Sequence, residues 1–124
     1  ICLGMQLLFE SSQELGSHTG LGFLKGTVRQ FESGALKVPH TGWNQVEKAK
    51  DTPLLEGIPT GSYAYFNHGY FCEPAYAEDV QASTSYGVHY ACVVGRGRLY
   101  GVQFHPEKSQ AVGLQVLRNF VERC

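Results

Sequence analysis

The chain has 124 residues, 43% of them hydrophobic and 17% charged, with Lys+Arg 10 against Asp+Glu 11 for a net charge of -1. That length holds one core and one domain, and so apolar a composition excludes a disordered chain. No basic run or stripe offers an electrostatic grip on nucleic acid or an anionic membrane, and no apolar run reaches the roughly 18 residues of a membrane helix. With no signal-like start either, a cytoplasmic protein is expected. Cys2, Cys72, Cys92 and Cys124 form no C-x-x-C pair, so reduced thiols are expected. The chain opens on Ile1 in ICLG, like the end of a buried strand without its beginning, and an N-terminal truncation is the expectation.

In chain order, apolar residues at Leu3, Leu7, Leu8 and Leu15, with Gly16 just beyond, predict a helix over residues 3–15 that follows Cys2 at once. A loop with His18, Gly20 and Gly22 leads into strand-like Thr27 to Phe31, then Leu36 to Pro39, and the HTGWN segment reads as loop from Gly42 and Asn44. Ser62 to Phe66 is a short Tyr-rich strand. Val80 to Ser85, Val88 to Val94 and Leu99 to Phe104, separated by Tyr86-Gly87 and Gly95-Arg96-Gly97, read as consecutive antiparallel hairpins. Ser109 is placed as the N-cap of a last helix with Val112, Val116, Leu117, Phe120, Val121 and Cys124 on one face. A strand feeding a helix directly at the start favours an α/β layer arrangement.

A nucleophile on a tight strand-to-helix turn is pushed clear of the sheet, needs small neighbours, and gains a helix N-terminus that stabilises a thiolate. Cys2-Leu3-Gly4 fits that need and offers the Leu3 N–H as one oxyanion donor. A buried core cysteine is the commoner fate of such a residue taken alone. The second constellation is Gln103-Phe104-His105-Pro106-Glu107-Lys108 at a strand end. A cysteine nucleophile needs a base, open to His105, and a carboxylate to orient the ring, open to Glu107. Alone, a strand-terminal His beside a solvated Glu would account for this segment equally well.

Taken together, these segments resemble the class I (triad) glutamine amidotransferases: ICLGMQ resembles the family's nucleophile elbow with its glutamine-pocket Gln, and GVQFHPEKS its His-x-Glu segment. KVPHTGWNQV, YFNHGY, FHPEKSQ and the tail GLQVLRNF are similar to the branch that supplies ammonia for imidazole glycerol phosphate synthesis. The resemblance implies an α/β, doubly wound, flavodoxin-like domain, of which residues 1–124 are the C-terminal part with an antiparallel hairpin region, its first βα units missing. It implies hydrolysis of glutamine to glutamate and ammonia through a thioester on Cys2, with His105 and Glu107 completing the triad and no cofactor or metal. The ammonia would pass through a channel to a (βα)8-barrel cyclase subunit of imidazole glycerol phosphate synthase.

By the same resemblance Gln6, Glu14 on the helix after Cys2, Gly69 and Tyr70 are substrate contacts, and Trp43, Asn44, Tyr65 and Lys108 face the partner, with His68 beside them. Packing or solvation is the commoner role of Trp43, Tyr65 and Lys108 taken singly. His18, His40 and His89 read as structural or surface residues, with His40 holding its loop by a hydrogen bond. The family usually has Ser where Gly69 stands, and Gly offers an N–H but no hydroxyl. Two other readings stay open: the glutaminase of another class I amidotransferase or a related hydrolase, and a non-catalytic binding fragment of this fold.

Overall fold

Alternating burial draws most of the chain into strands. In a computed structural model, which describes residues 1–32, 34 and 36–124, helix α1 (Leu3–Leu7) is followed by β1 (Phe9–Ser12), β2 (His18–Thr19), β3 (Leu24–Gln30) and β4 (His40–Lys48). Then come β5 (Ser62–His68), β6 (Tyr70–Pro74), β7 (Val80–Ser85), β8 (His89–Arg96), β9 (Leu99–Val102) and helix α2 (Gln110–Arg123). The strands make one mixed sheet in the order β2-β1-β3-β6-β8-β7-β4-β5, with β9 added to β8. Among the described residues only β1 and β3 pair in parallel. β8 is the hub: all six residues from Tyr90 to Gly95 are buried, as expected of a strand covered on both faces.

The predicted helix over residues 3–15 ends at Leu7. Phe9 is fully buried, Glu10 faces out, and Ser11 and Ser12 pair with Thr27 and Val28, so sheet pairing overrides the weak helical pattern of ESSQ. HTGWN is strand, not loop: β4 pairs with β5 from His40↔His68 to Val46↔Ser62, and Gly42 takes the kink at φ +132 that a side chain would resist. β6 escaped the sequence reading altogether. The three-strand run of hairpins is borne out as β7, β8 and β9. All four cysteines are free thiols.

Helix α2 starts after Ser109 as expected, but its buried stripe is Gly113, Val116 and Asn119, while Phe120 and Val121 are exposed. Asn119 sets that rotation. Its amide nitrogen donates to the carbonyls of Leu54 (2.9 Å) and Glu56 (2.8 Å), capping the 3₁₀ turn Pro53–Leu55, and its oxygen accepts from Gln115 (2.9 Å). Six residues earlier, Gly113 lets the helix backbone close on the Pro106–Lys108 3₁₀ turn. A Cβ there would lie 1.8 Å from the Pro106 carbonyl oxygen. Gly113→Ala should therefore cost about 1–3 kcal/mol by overpacking, read as a lowered midpoint in urea titration against an unchanged Leu114→Ala control on the exposed face.

Candidate active site

Cys2 sits at the turn into α1 with φ 49 and ψ -106, a conformation that a side-chain-bearing residue adopts only under constraint. The constraint is its N–H, which donates to the Val102 carbonyl at 2.7 Å and hangs the turn on the end of β9. The Cys2 thiol receives a hydrogen bond from Gln103 Nε2 (3.6 Å) and lies within reach of the Leu3 N–H. Burial, together with the nearby Glu107 carboxylate, raises the thiol's pKa and outweighs those two donors, so the resting form is the neutral thiol. A Cβ on Gly4 would meet nothing within 4 Å, so no contact in the described residues demands a small neighbour there.

After β9 the chain changes partners. The Gln103 N–H still donates to the Cys92 carbonyl (2.8 Å), but the His105 N–H donates to Tyr65 of β5 (2.9 Å). Pro106 then opens a 3₁₀ turn that folds Glu107 back, with both carboxylate oxygens 3.2 Å from His105 Nδ1. The Nδ1 proton is thus committed to Glu107, and Nε2 makes no hydrogen bond among the described residues. Among the described residues no hydrogen bond joins His105 to the Cys2 thiol; Gln103 stands between them in sequence and holds the sulfur. Ser109 does not cap α2 through its side chain. Its hydroxyl donates to the His105 carbonyl (2.7 Å) and accepts the Tyr65 N–H (2.9 Å), locking the turn to β5.

Gln6 is buried beside this centre, its amide nitrogen donating to the Tyr70 carbonyl (3.2 Å) and to Gln103 Oε1 (3.3 Å). Gly69 precedes Tyr70, and an added Cβ would make only ordinary contacts at 3.7 Å with Val38 and 4.0 Å with Pro39, so a Ser fits this backbone. Glu14 does not lie on a helix: it follows β1, where its N–H donates to Ser12 Oγ (3.2 Å).

Three of the four residues expected to face the partner come together. Trp43 and Tyr65 are cross-strand neighbours with rings 6.0 Å apart, Lys108 Nζ lies 5.8 Å over the Tyr65 ring, and Trp43 is 47% exposed. Asn44 turns the other way, donating to the Ser85 carbonyl (2.8 Å) and His40 Nε2 (3.4 Å). Behind it, His40 and His68 flank the buried Tyr90 hydroxyl, at 3.1 and 3.0 Å. The hydrogen-bonding roles of Gln103, Ser109 and Tyr90 were missed. The legible signal for Gln103 was a glutamine inside an otherwise apolar strand end, GVQF.

A model of the class-I glutamine amidotransferase family matches residues 1–124, and the chain belongs to that family. It is 45% identical over 123 residues to imidazole glycerol phosphate synthase subunit HisH of Chlorobium luteolum, covering 98% of this chain and 61% of that protein. It is 49% identical over 126 residues to subunit HisH of Methanosarcina mazei, covering 100% and 62%, and 50% identical over 122 residues to that of Moorella thermoacetica, covering 98% and 58%. The chain thus spans between 58% and 62% of the length of these curated relatives. A solved structure described as a GMP synthase component from Thermoplasma acidophilum shares the fold, with TM-score 0.62 and 21% identity over 77% of this chain and 47% of that one. The α/β, flavodoxin-like class expected from the sequence is borne out, as is the resemblance carried by ICLGMQ and GVQFHPEKS. No helix among the described residues is long and apolar enough to cross a membrane, and no group of His, Cys, Asp and Glu there is arranged to hold a metal ion.

Burial lowers the pKa of both His40 and His68 to about 4. The unfolded rings bind protons from about pH 6.5 downward and the folded ones only near pH 4, so this contribution is complete above pH 6.5 and lost as pH falls toward 4. Thermal melts should therefore fall steeply between those limits, by a few kcal/mol per ring in order of magnitude, and His40→Asn should flatten the slope.

Proposed function

We propose that this chain carries the glutaminase centre of an imidazole glycerol phosphate synthase. The Cys2 sulfur attacks the carboxamide carbon of glutamine, its proton passes to His105 Nε2 and on to the leaving nitrogen, and ammonia departs as a thioester forms. Water, deprotonated by His105, then opens the thioester to glutamate and restores the thiol. Glu107 orients the ring and steadies its cation, and the Leu3 N–H stabilises the oxyanion. Gln6, Gly69 and Tyr70 contribute to glutamine binding. Residues 1–124 act as one unit of a type 1 glutamine amidotransferase domain, and the expected setting is the cytoplasm.

The observation that carries this reading is the strained Cys2 turn, hung on Val102 only three residues before the Glu107-oriented His105. The neutral resting thiol agrees with it, because a thiol that is not yet ionised requires a base. In the full-length protein with its cyclase subunit, Cys2→Ala should reduce glutamine-dependent ammonia release to below about a thousandth of wild type. Activity above a few percent would overturn the assignment.

The exposed Trp43–Tyr65–Lys108 cluster supports a docking face for the (βα)8-barrel cyclase, which takes the ammonia through a channel. Aromatic anchors beside a cation are the composition of interface hot spots. Lys108→Ala should weaken the complex about tenfold, measured by titration calorimetry, while Cys2 remains alkylated by a glutamine-like diazoketone. An unchanged dissociation constant would refute the face.

A further inference from the structure

Tyr70 presents a carbonyl that accepts two hydrogen bonds, from Gln6 Nε2 (3.2 Å) and from His68 Nδ1 (2.5 Å). Because a carbonyl can only accept, His68 must carry its proton on Nδ1, which makes Nε2 the acceptor of the Tyr90 hydroxyl. The Tyr90 oxygen in turn accepts from His40 Nδ1–H, and His40 Nε2 accepts from the Asn44 amide. Every donor direction in this buried chain is therefore fixed, and the chain requires both rings neutral, as their burial makes them. At its other end both hydrogens of the Gln6 amide are committed, one to Tyr70 and one to Gln103, whose own amide holds the Cys2 sulfur. Gln6 Oε1 has no hydrogen-bond partner among the described residues, and its amide is linked to the thiol through Gln103.

Resting on the glutaminase reading, we propose that His68, held by Tyr90 and His40, is a positioning residue that fixes the Tyr70 carbonyl and thereby aims Gln6 Oε1 at an N–H donor of bound glutamine. Neither histidine touches the substrate. Their effect is on binding more than on chemistry, so they act on KM while the triad still sets kcat.

The test is steady-state glutaminase kinetics of the full-length protein with its cyclase subunit. His68→Leu should raise KM for glutamine about tenfold, the loss of one buried hydrogen bond, with kcat within about threefold of wild type. His68→Asn, whose amide nitrogen takes the place of Nδ1, should recover most of that loss. Equal KM defects in the two variants, or none in either, overturns the proposal. Should His68→Leu fail to fold, Tyr90→Phe carries the test: it removes a single hydroxyl, and a KM raised about threefold supports positioning whereas an unchanged KM refutes it. A wild-type protein that releases no ammonia refutes the glutaminase reading instead. The positioning is then read from ring ¹⁵N shifts, where an Nδ1-protonated His68 that moves together with His40 in Tyr90→Phe supports it and an Nε2-protonated His68 overturns it.

Discussion

The hydrogen bond from the Cys2 N–H to the Val102 carbonyl, at 2.7 Å, is the constraint on which the site depends. It ties the first turn of the chain to the end of β9, the strand that delivers Gln103 and His105, across about a hundred residues of sequence. Together with the Gly4 N–H on the Ile1 carbonyl (2.8 Å) and Gln103 on the sulfur, it holds Cys2 at φ 49, a conformation that costs on the order of 1–3 kcal/mol and persists only where neighbouring structure enforces it. The same bond aligns α1, so that Met5 packs into the smaller core cluster with Phe9, Leu24 and Val28 while Gln6 turns toward Tyr70. One main-chain contact therefore registers the thiol, its sulfur-holding amide and the buried face of the helix.

Polar satisfaction explains why that region is stable although it is rich in buried polar groups. Gln6, His40, His68, Gln103, Ser109 and Asn119 are all buried, and each makes hydrogen bonds to the protein around it. A buried polar side chain left unpaired costs about 1–3 kcal/mol, so losing one member of such a group strands its neighbours. Neutral rings suit this arrangement better than charged ones, because a charge in the same place would lack a counterion.

The chemistry was more legible in the sequence than the architecture around it. Cys2 before a short helix, and His105-Pro106-Glu107 after a strand, are local arrangements, and local arrangements survive folding nearly unchanged. The extent of α1 was not legible, because Phe9, Glu10 and Ser11 satisfy a helical and a strand period equally, and only pairing with Thr27 and Val28 decides between them. HTGWN was misread for a related reason: Gly42 and Asn44 are loop formers by propensity, but the cross-strand partners Phe66 and Ala64 lie some twenty residues away. The orientation of α2 turned on Asn119, a polar residue whose acceptors at Leu54 and Glu56 could not be seen from the helix itself. The same long-range dependence hid Ser109, which pattern places at a cap and the fold uses as a clasp.

That clasp makes β5 and the His105 turn a single body. The Tyr65 carbonyl receives the His105 N–H, its N–H reaches Ser109, and Ser109 returns to the His105 carbonyl, a closed ring of three hydrogen bonds. The Tyr65 side chain, on that same backbone, lies in the outward aromatic cluster. Whatever presses on the cluster and shifts β5 must carry His105 with it, because bending the ring would break a bond at each corner. Linkage would make the traffic two-way: if locking His105 changed affinity at the outer face, occupancy of that face would change affinity at His105 by the same factor.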